Sequence, residues 1–377
     1  MSEEAFELAI VGGGIIGCVA AHLADEAYPD WRLALLDRGP IGGGATGRSA
    51  GFDLPYGETP ERRAFSALGR RLWREIERDL PGLATDVETF AWVEAGAVEA
   101  TLAGFVDGNP HVATPAEERA LMRALPELAA GQRRGLVLLA GCGGRAAVPQ
   151  RAARALADRL RDARPGFCRE GVEVAAITAI TGGFALTCGD GHHLEAERVL
   201  VATGPWLPEL SGLAPHATAL PATLRRKKVA ALHLDRRPPP GAPALCFFGE
   251  DAFLLPLPER SEWLLSFRAD EWDCPADPAR LHLSAADRSR ALSTLERHAP
   301  RLATAAAGGR AFCDLYGPER TPFSAAVDAS GTLVVAGAGS GSGYRMAPAI
   351  AASALERFPG FASVPRSIAG GGGRSSA

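Results

Sequence analysis

Phe6-Glu7-Leu8-Ala9-Ile10-Val11-Gly12-Gly13-Gly14-Ile15-Ile16-Gly17 is an apolar run, broken only by Glu7, that ends directly in glycines. So short a run closed by a glycine turn predicts a buried strand. Beyond it Ile16, Val19, Ala20 and Leu23 recur at helical spacing, and Trp31 to Leu36 reads as a second strand. The chain therefore opens on a β-α-β unit. Gly12, Gly14 and Gly17 stand in the spacing G-x-G-x-x-G at the strand-to-helix junction, and Asp37 follows 20 residues past Gly17. In that pattern the first glycine permits a tight turn, the second lets a pyrophosphate approach the backbone, and the third lets helix pack on strand. The helix start supplies amide donors and partial positive charge. Asp37 would accept hydrogen bonds from an adenosine ribose and repel a 2′-phosphate. A dinucleotide site follows, although this fingerprint alone does not separate NAD from FAD.

Working outward, Gly42 to Gly51 is a second glycine cluster, expected to be a loop close to something bulky. Helices are expected over Glu61 to Asp79, behind Pro60, and over Arg151 to Ala163, behind Pro149. Glu173 to Ile180 and Phe184 to Cys188 read as a hairpin, and Arg198 to Ala202 as a strand running into Thr203-Gly204-Pro205. From Pro221 to Pro318 the pattern changes to strands (Val229 to Leu234, Ala252 to Leu257, Trp263 to Phe267) and one helix near Ala285 to His298, which suggests a separate antiparallel-rich domain. Thr332 to Ala336 is the last strand. Gly337 to Gly343 then leads into a helix from about Met346 to Phe358, whose first amides could stabilise negative charge on a flavin's reduced edge. The glycine-rich end from Ala369 to Ala377 has nothing apolar able to anchor it, and 367–377 is expected to be a disordered tail.

Composition narrows the partners. A chain of 377 residues has room for about two domains. Forty basic against 44 acidic side chains give a formal charge of -4, with no basic surplus for nucleic acid. Lys227 and Lys228 are the only lysines, and Arg225 to Lys228 is expected to be a solvated charge run or the lip of an acidic-substrate entrance. Seven cysteines, with no Cys-x-x-Cys pair and no histidine at metal spacing, predict neither a metal site nor a disulfide framework. No apolar run reaches the ~18–20 residues of a spanning helix, and the opening lacks the positive segment of a secretory signal. A cytoplasmic location is the expectation.

Several segments, in order, resemble the flavoprotein family of D-amino-acid oxidase, glycine oxidase and sarcosine oxidase. They are Ala9 to Gly17, Leu36-Asp37-Arg38-Gly39, Gly44-Ala45-Thr46-Gly47-Arg48-Ser49-Ala50-Gly51, Val201-Ala202-Thr203-Gly204-Pro205-Trp206, Arg320-Thr321-Pro322 and Gly341-Ser342-Gly343-Tyr344-Arg345-Met346-Ala347-Pro348. The resemblance spans residues 6 to about 358. It implies an α/β fold: a Rossmann-like FAD-binding domain drawn from 1–55, 145–222 and 318–366, interleaved with an antiparallel-sheet substrate domain from 56–144 and 223–317. It implies non-covalent FAD, held by Gly12, Gly14, Ile15, Ile16, Gly17, Asp37 and Arg38. Gly44, Ala45, Thr46, Arg48, Ser49, Ala50 and Gly51 would lie against pyrophosphate and flavin, Val174 against the adenosine, and Ala202, Thr203, Gly204 and Trp206 beside the cofactor. The last loop would contribute Gly337, Gly341, Ser342, Gly343, Tyr344, Arg345 and Met346.

The resemblance also points to Tyr344-Arg345 as the pair holding a substrate carboxylate. A guanidinium offers two parallel donors, and positive charge at a helix start opposes the dipole, which favours a functional reason for it. Tyr56, Arg268, Tyr316 and Phe248 are further candidates for the pocket wall. The implied reaction oxidises the C–N bond of a small amino acid or secondary amine by hydride transfer to flavin N5, giving an imine that hydrolyses. Electrons would pass to O2 or to a protein or quinone acceptor. Alternatives are a dehydrogenase subunit, a non-catalytic flavin-binding component, and a nicotinamide dehydrogenase. Three departures stand out. No lysine lies outside 227 and 228 to activate oxygen as in sarcosine oxidases, Phe323 follows Thr321-Pro322 where an aspartate is common, and Cys313 precedes that pair as a flavin-linking cysteine does in some relatives, across a longer gap.

Overall fold

The computed structural model describes residues 4–128, 135–210, 220 and 223–362; the expected tail at 367–377 lies outside them. The opening unit forms as read: strand β1 (Glu4–Val11), helix α1 (Ile15–Ala27) and strand β2 (Leu33–Asp37). β1 pairs in parallel with β2 on one edge and with His193–Val201 on the other. His193–Val201 gives its far edge to two partners, the hairpin of Val174–Ile180 and Gly183–Cys188 along its first half and Leu333–Gly337 along its last residues. Cys168–Glu170 beside β2 and Phe323–Ala326 beside Leu333–Gly337 complete eight strands.

One face of this sheet is covered by helices. Leu8, Ile10 and Leu35 pack with Val19 and Leu23 of α1, with Leu156 of the helix Pro149–Ala163, and with Trp73 and Ile350, all buried. Trp73 belongs to helix α2 (Pro60–Asp79), which starts where Pro60 fixes the first turn and Thr59 accepts the Arg62 amide. Ile350 belongs to helix α3 (Gly343–Leu355), which begins three residues before the position expected from sequence. α2 and α3 cross in close contact: a β-carbon on Gly69 would lie 2.5 Å from the Arg345 carbonyl oxygen.

The second eight-stranded sheet runs from Ala306–Tyr316 through Arg225–Leu234, Glu262–Phe267, Ala252–Leu257, Ala244–Phe247, Thr89–Glu94 and Leu136–Ala140 to His111–Val112. Only Ala244–Phe247 with Thr89–Glu94 is a parallel pair. We call its site-bearing strands β3 (Arg225–Leu234), β4 (Glu262–Phe267) and β5 (Ala306–Tyr316). One face packs Leu232, Trp263 and Leu265 on Leu295 of the helix Ala285–His298, whose Ser284 and Asp287 form a reciprocal cap. The other face looks toward the first sheet. A three-stranded ribbon of Phe52–Asp53, Arg145–Ala147 and Ala84–Asp86 lies where the chain passes between them.

Two expectations are corrected here. The stretch Gly42 to Gly51 is not all loop, since Ala45–Arg48 winds into one helical turn. Arg225 to Lys228 is no solvated run but the first part of β3, with Lys227 and Lys228 both buried. Each lysine finds separate partners on opposite faces of the sheet, as strand alternation requires.

Candidate cofactor and substrate cleft

A cleft of about 710 Å³ lies between the two sheets, within the size range of small-molecule sites. It is lined by Asp37, Arg38, Val174 and Trp206, by Gly12, Gly14, Ile15, Ile16, Thr46, Arg48 and Ser49, and by Gly337, Gly341, Gly343 and Tyr344. Gly44, Ala45, Ala50, Gly51, Ala202, Thr203 and Gly204 also face it. The loop before Tyr344 and the turn at Gly12 therefore share one cavity, though more than 320 residues separate them in the chain.

The glycines divide their work as their spacing implies. Gly12 has φ +112°, and a β-carbon on it would lie 2.5 Å from the Ala202 carbonyl oxygen, so only glycine fits between β1 and the strand beside it. Gly17 does not line the cleft; a β-carbon there would lie 1.9 Å from the Gly12 oxygen, and its absence lets α1 sit down on the turn. At Gly14 the nearest neighbour is only the Thr46 hydroxyl, at 3.3 Å, so the space in front of the helix start stays open. That hydroxyl also accepts the Ile15 amide at 3.0 Å, stapling the second glycine segment to the first.

Asp37 accepts the Gly13 amide on one oxygen (2.7 Å) and the Gly39 amide on the other (2.8 Å). Burial outweighs these donors and raises its pKa. The Arg38 guanidinium lies 4.9 Å over the Trp206 ring, which in turn covers Gly44. The Thr203 hydroxyl is buried in the cleft wall without a partner among the described residues. An open glycine cradle at a helix start, a carboxylate fixed at the next strand end and an orphaned hydroxyl between them fit FAD.

Behind the wall formed by Gly341, Gly343 and Tyr344 lies a cluster of guanidinium groups. Arg345, partly exposed behind the lining residues, donates from Nη1 to the Leu54 carbonyl (2.7 Å) and from Nη2 to Ser342 Oγ (2.9 Å), while its buried Nε has no partner among the described residues. Desolvation, with Arg62 nearby, lowers its pKa to about 10. Arg62, only 1% exposed, also donates to Ser342 Oγ at 2.9 Å, to Glu58 at 2.6 Å and to the Arg320 carbonyl. Ser342, Arg345 and Met346 do not line the cleft, and Met346 is wholly in the core.

The remaining wall candidates are dispersed. Tyr344 stacks on Trp73 with centroids 4.9 Å apart. Tyr56 meets Phe248 edge-on at 4.8 Å, and Tyr316 meets Trp272 edge-on at 5.5 Å. Arg268 is exposed and paired with Asp270 at 2.9 Å, away from the cleft lining. On the second sheet Val229 of β3, Ser266 of β4 and Phe312 and Asp314 of β5 face the cleft. Lys227, two residues before Val229, keeps its ammonium 5.1 Å from the Trp272 ring centroid and 5.3 Å from that of Tyr316. Lys228 points the other way, to Asp287 (2.8 Å) and Glu271 (3.0 Å). Cys313 is on that same far face, packed with Cys274. Arg62, Arg310 and Asp314 were not foreseen. Arg310 donates to the Ser49 carbonyl at 3.2 Å and ties the second glycine segment to β5. Among the described residues no group of three or more His, Cys, Asp or Glu is placed for a metal, and no helix is long and apolar enough to cross a membrane.

Comparison with known proteins agrees with this geometry. A family model described as FAD dependent oxidoreductase matches residues 7–357. The fold is similar to glycine oxidase from Geobacillus kaustophilus, at 18% identity and TM-score 0.73 over 97% of this chain and 100% of that one. It is similar to L-proline dehydrogenase from P. horikoshii, at 16% identity and TM-score 0.78 over 94% and 93%. It is similar also to L-alpha-glycerophosphate oxidase from Mycoplasma pneumoniae with FAD bound, at 14% identity and TM-score 0.75 over 94% of each chain. No curated protein sequence matches the chain.

Proposed function

The chain belongs to the FAD dependent oxidoreductase family, and from that premise we propose that it oxidises the C–N bond of a small amino acid or secondary amine. The supporting observation is the guanidinium cluster of Arg345 and Arg62 around Ser342, packed behind the part of the cleft wall formed by Gly341, Gly343 and Tyr344. FAD, when bound, supplies a two-electron acceptor. Gly12, Gly14, Thr46, Asp37 and Thr203 would hold it. The positive charge of Arg345 would fix the substrate carboxylate through a charge-assisted contact of about 1.5–3 kcal/mol. Its links to Leu54 and Ser342 keep the group from swinging. A carboxylate held there would leave the amine and α-carbon oriented over the remaining cleft wall, where Tyr344 excludes water. The amine must be neutral as the α-carbon gives up its hydride, and the resulting imine hydrolyses to a carbonyl compound and ammonia or a smaller amine.

An absorption spectrum followed by an anaerobic panel of D- and L-amino acids, N-methyl amino acids and plain amines tests this directly. A flavin that none of them bleaches rejects the reading. Arg345→Met should raise the apparent dissociation constant of carboxylated substrates at least about tenfold while sparing plain amines, the equivalent of one lost charge-assisted contact. Equal effects on both would reject the clamp. A second reading, electron delivery to a partner rather than O2, is favoured by the placement of Lys227 and Lys228, neither of which lines the cleft. Slow O2 turnover with fast reduction of an artificial acceptor distinguishes it.

A further inference from the structure

Asp314 is a carboxyl group in the cleft wall that binding of a carboxylate substrate does not call for. It sits on the cleft face of β5, between Phe312 and Tyr316, and accepts the Gly341 amide on one oxygen and the Leu315 amide on the other, each at 2.9 Å. Among the described residues no Lys, Arg or His nitrogen is within ion-pairing distance of it. The strand register places Lys227 directly opposite. Yet the Lys227 ammonium is drawn away into the space between Trp272 and Tyr316. The acid and the base of this cross-strand pair are thus anchored apart.

The other ionisable groups near Asp314 do little to offset its charge. Tyr316 and Cys313 flank it on β5, and Arg226 and Lys227 lie on β3; Arg62 and Arg320 stand beyond Tyr316. The loop 337–343 packed against it contributes only glycine, alanine and serine. Burial already raises the pKa of Asp314 against its two amide donors. The group is partly exposed in the cleft wall. Asp314 lines the same cleft as the dinucleotide turn and Asp37, so a cofactor that fills this cleft would cover it. Replacing water by an aromatic ring removes solvation from the carboxylate and leaves the neutral acid nearly untouched.

We propose that FAD binding and protonation of Asp314 are coupled, the carboxyl being ionised when the cleft holds water and taking up one proton when the cofactor covers it. The inference rests on the reading of this cleft as the FAD site. By linkage, affinity for FAD is greatest at low pH and falls as pH rises between the free and bound pKa values of the group, by at most about tenfold per pH unit for one proton. Asp37 also faces the cleft and contributes a slope of its own, so the quantity to read is the difference between proteins.

FAD dissociation constants for wild type and Asp314→Asn, measured by flavin fluorescence from about pH 5 to pH 8, carry the test. The wild type is expected to lose at least about threefold more affinity across that range than the variant. Titration calorimetry of FAD binding in two buffers of different ionisation enthalpy should show correspondingly greater proton uptake by the wild type. Parallel slopes and equal proton uptake overturn the proposal. Should Asp314→Asn fold poorly, Asp314→Ser keeps an acceptor for the Gly341 amide and must give the same reduced slope. Failure to bind FAD at any pH would instead defeat the reading of the cleft itself.

Discussion

At the scale of single residues, the dinucleotide turn is held by atoms that are absent. Gly17→Ala would place a methyl 1.9 Å from the Gly12 oxygen, so α1 must lift from β1. Overpacking of this kind costs about 1–3 kcal/mol, and the variant should purify with little flavin and a melting temperature several degrees lower. The three glycines and Asp37 were legible because each role needs a particular residue type at fixed spacing. Arg62 was not. It is one of 38 arginines, third in its helix, and only the crossing of α2 over α3 brings it to Ser342. Asp314 was hidden for a related reason, since nothing in Cys313-Asp314-Leu315 says which of the alternating side chains faces a cavity. Arg345 stands out through its neighbours, yet nothing local hints that two of its nitrogens are engaged by Leu54 and Ser342.

At the scale of elements, helix α3 contains Pro348, which has no amide to give to the carbonyl of Tyr344 one turn earlier. The Trp73 indole of α2 supplies the missing donor at 3.0 Å. Trp73→Phe keeps the ring against Tyr344 and orphans the carbonyl, so urea denaturation should show a loss of about 1–3 kcal/mol. Adding Pro348→Ala restores a main-chain donor and should recover part of that loss; a purely additive double variant would deny the link. Such borrowed hydrogen bonds escape a reading by segments, as does β3. Its opening charges looked solvated because their partners, Trp272, Tyr316, Glu271 and Asp287, come from distant parts of the chain.

For the whole molecule, one contribution to acid stability comes from His22, buried in α1 against the neighbouring helices. Burial lowers its pKa from 6.5 to about 4. A histidine whose folded pKa is depressed is protonated first in the unfolded chain. Stability should therefore be full above about pH 6.5 and decline as pH falls toward 4, by up to about 3 kcal/mol. Urea midpoints across that range should fall less steeply in His22→Leu than in the wild type, and identical slopes would assign the acid limb to other groups. The two-sheet architecture was foreseeable from alternating strand and helix signals, whereas the crossing of α2 and α3 depends on contacts no local pattern encodes. That crossing has a practical corollary. Because Gly69 lets the two helices touch main chain to main chain, the frame around Arg345 is gauged by backbone radii and not by side-chain bulk. Substitutions on the opposite wall of the cleft leave that frame in place, with Gly69 as the fixed datum of the chassis.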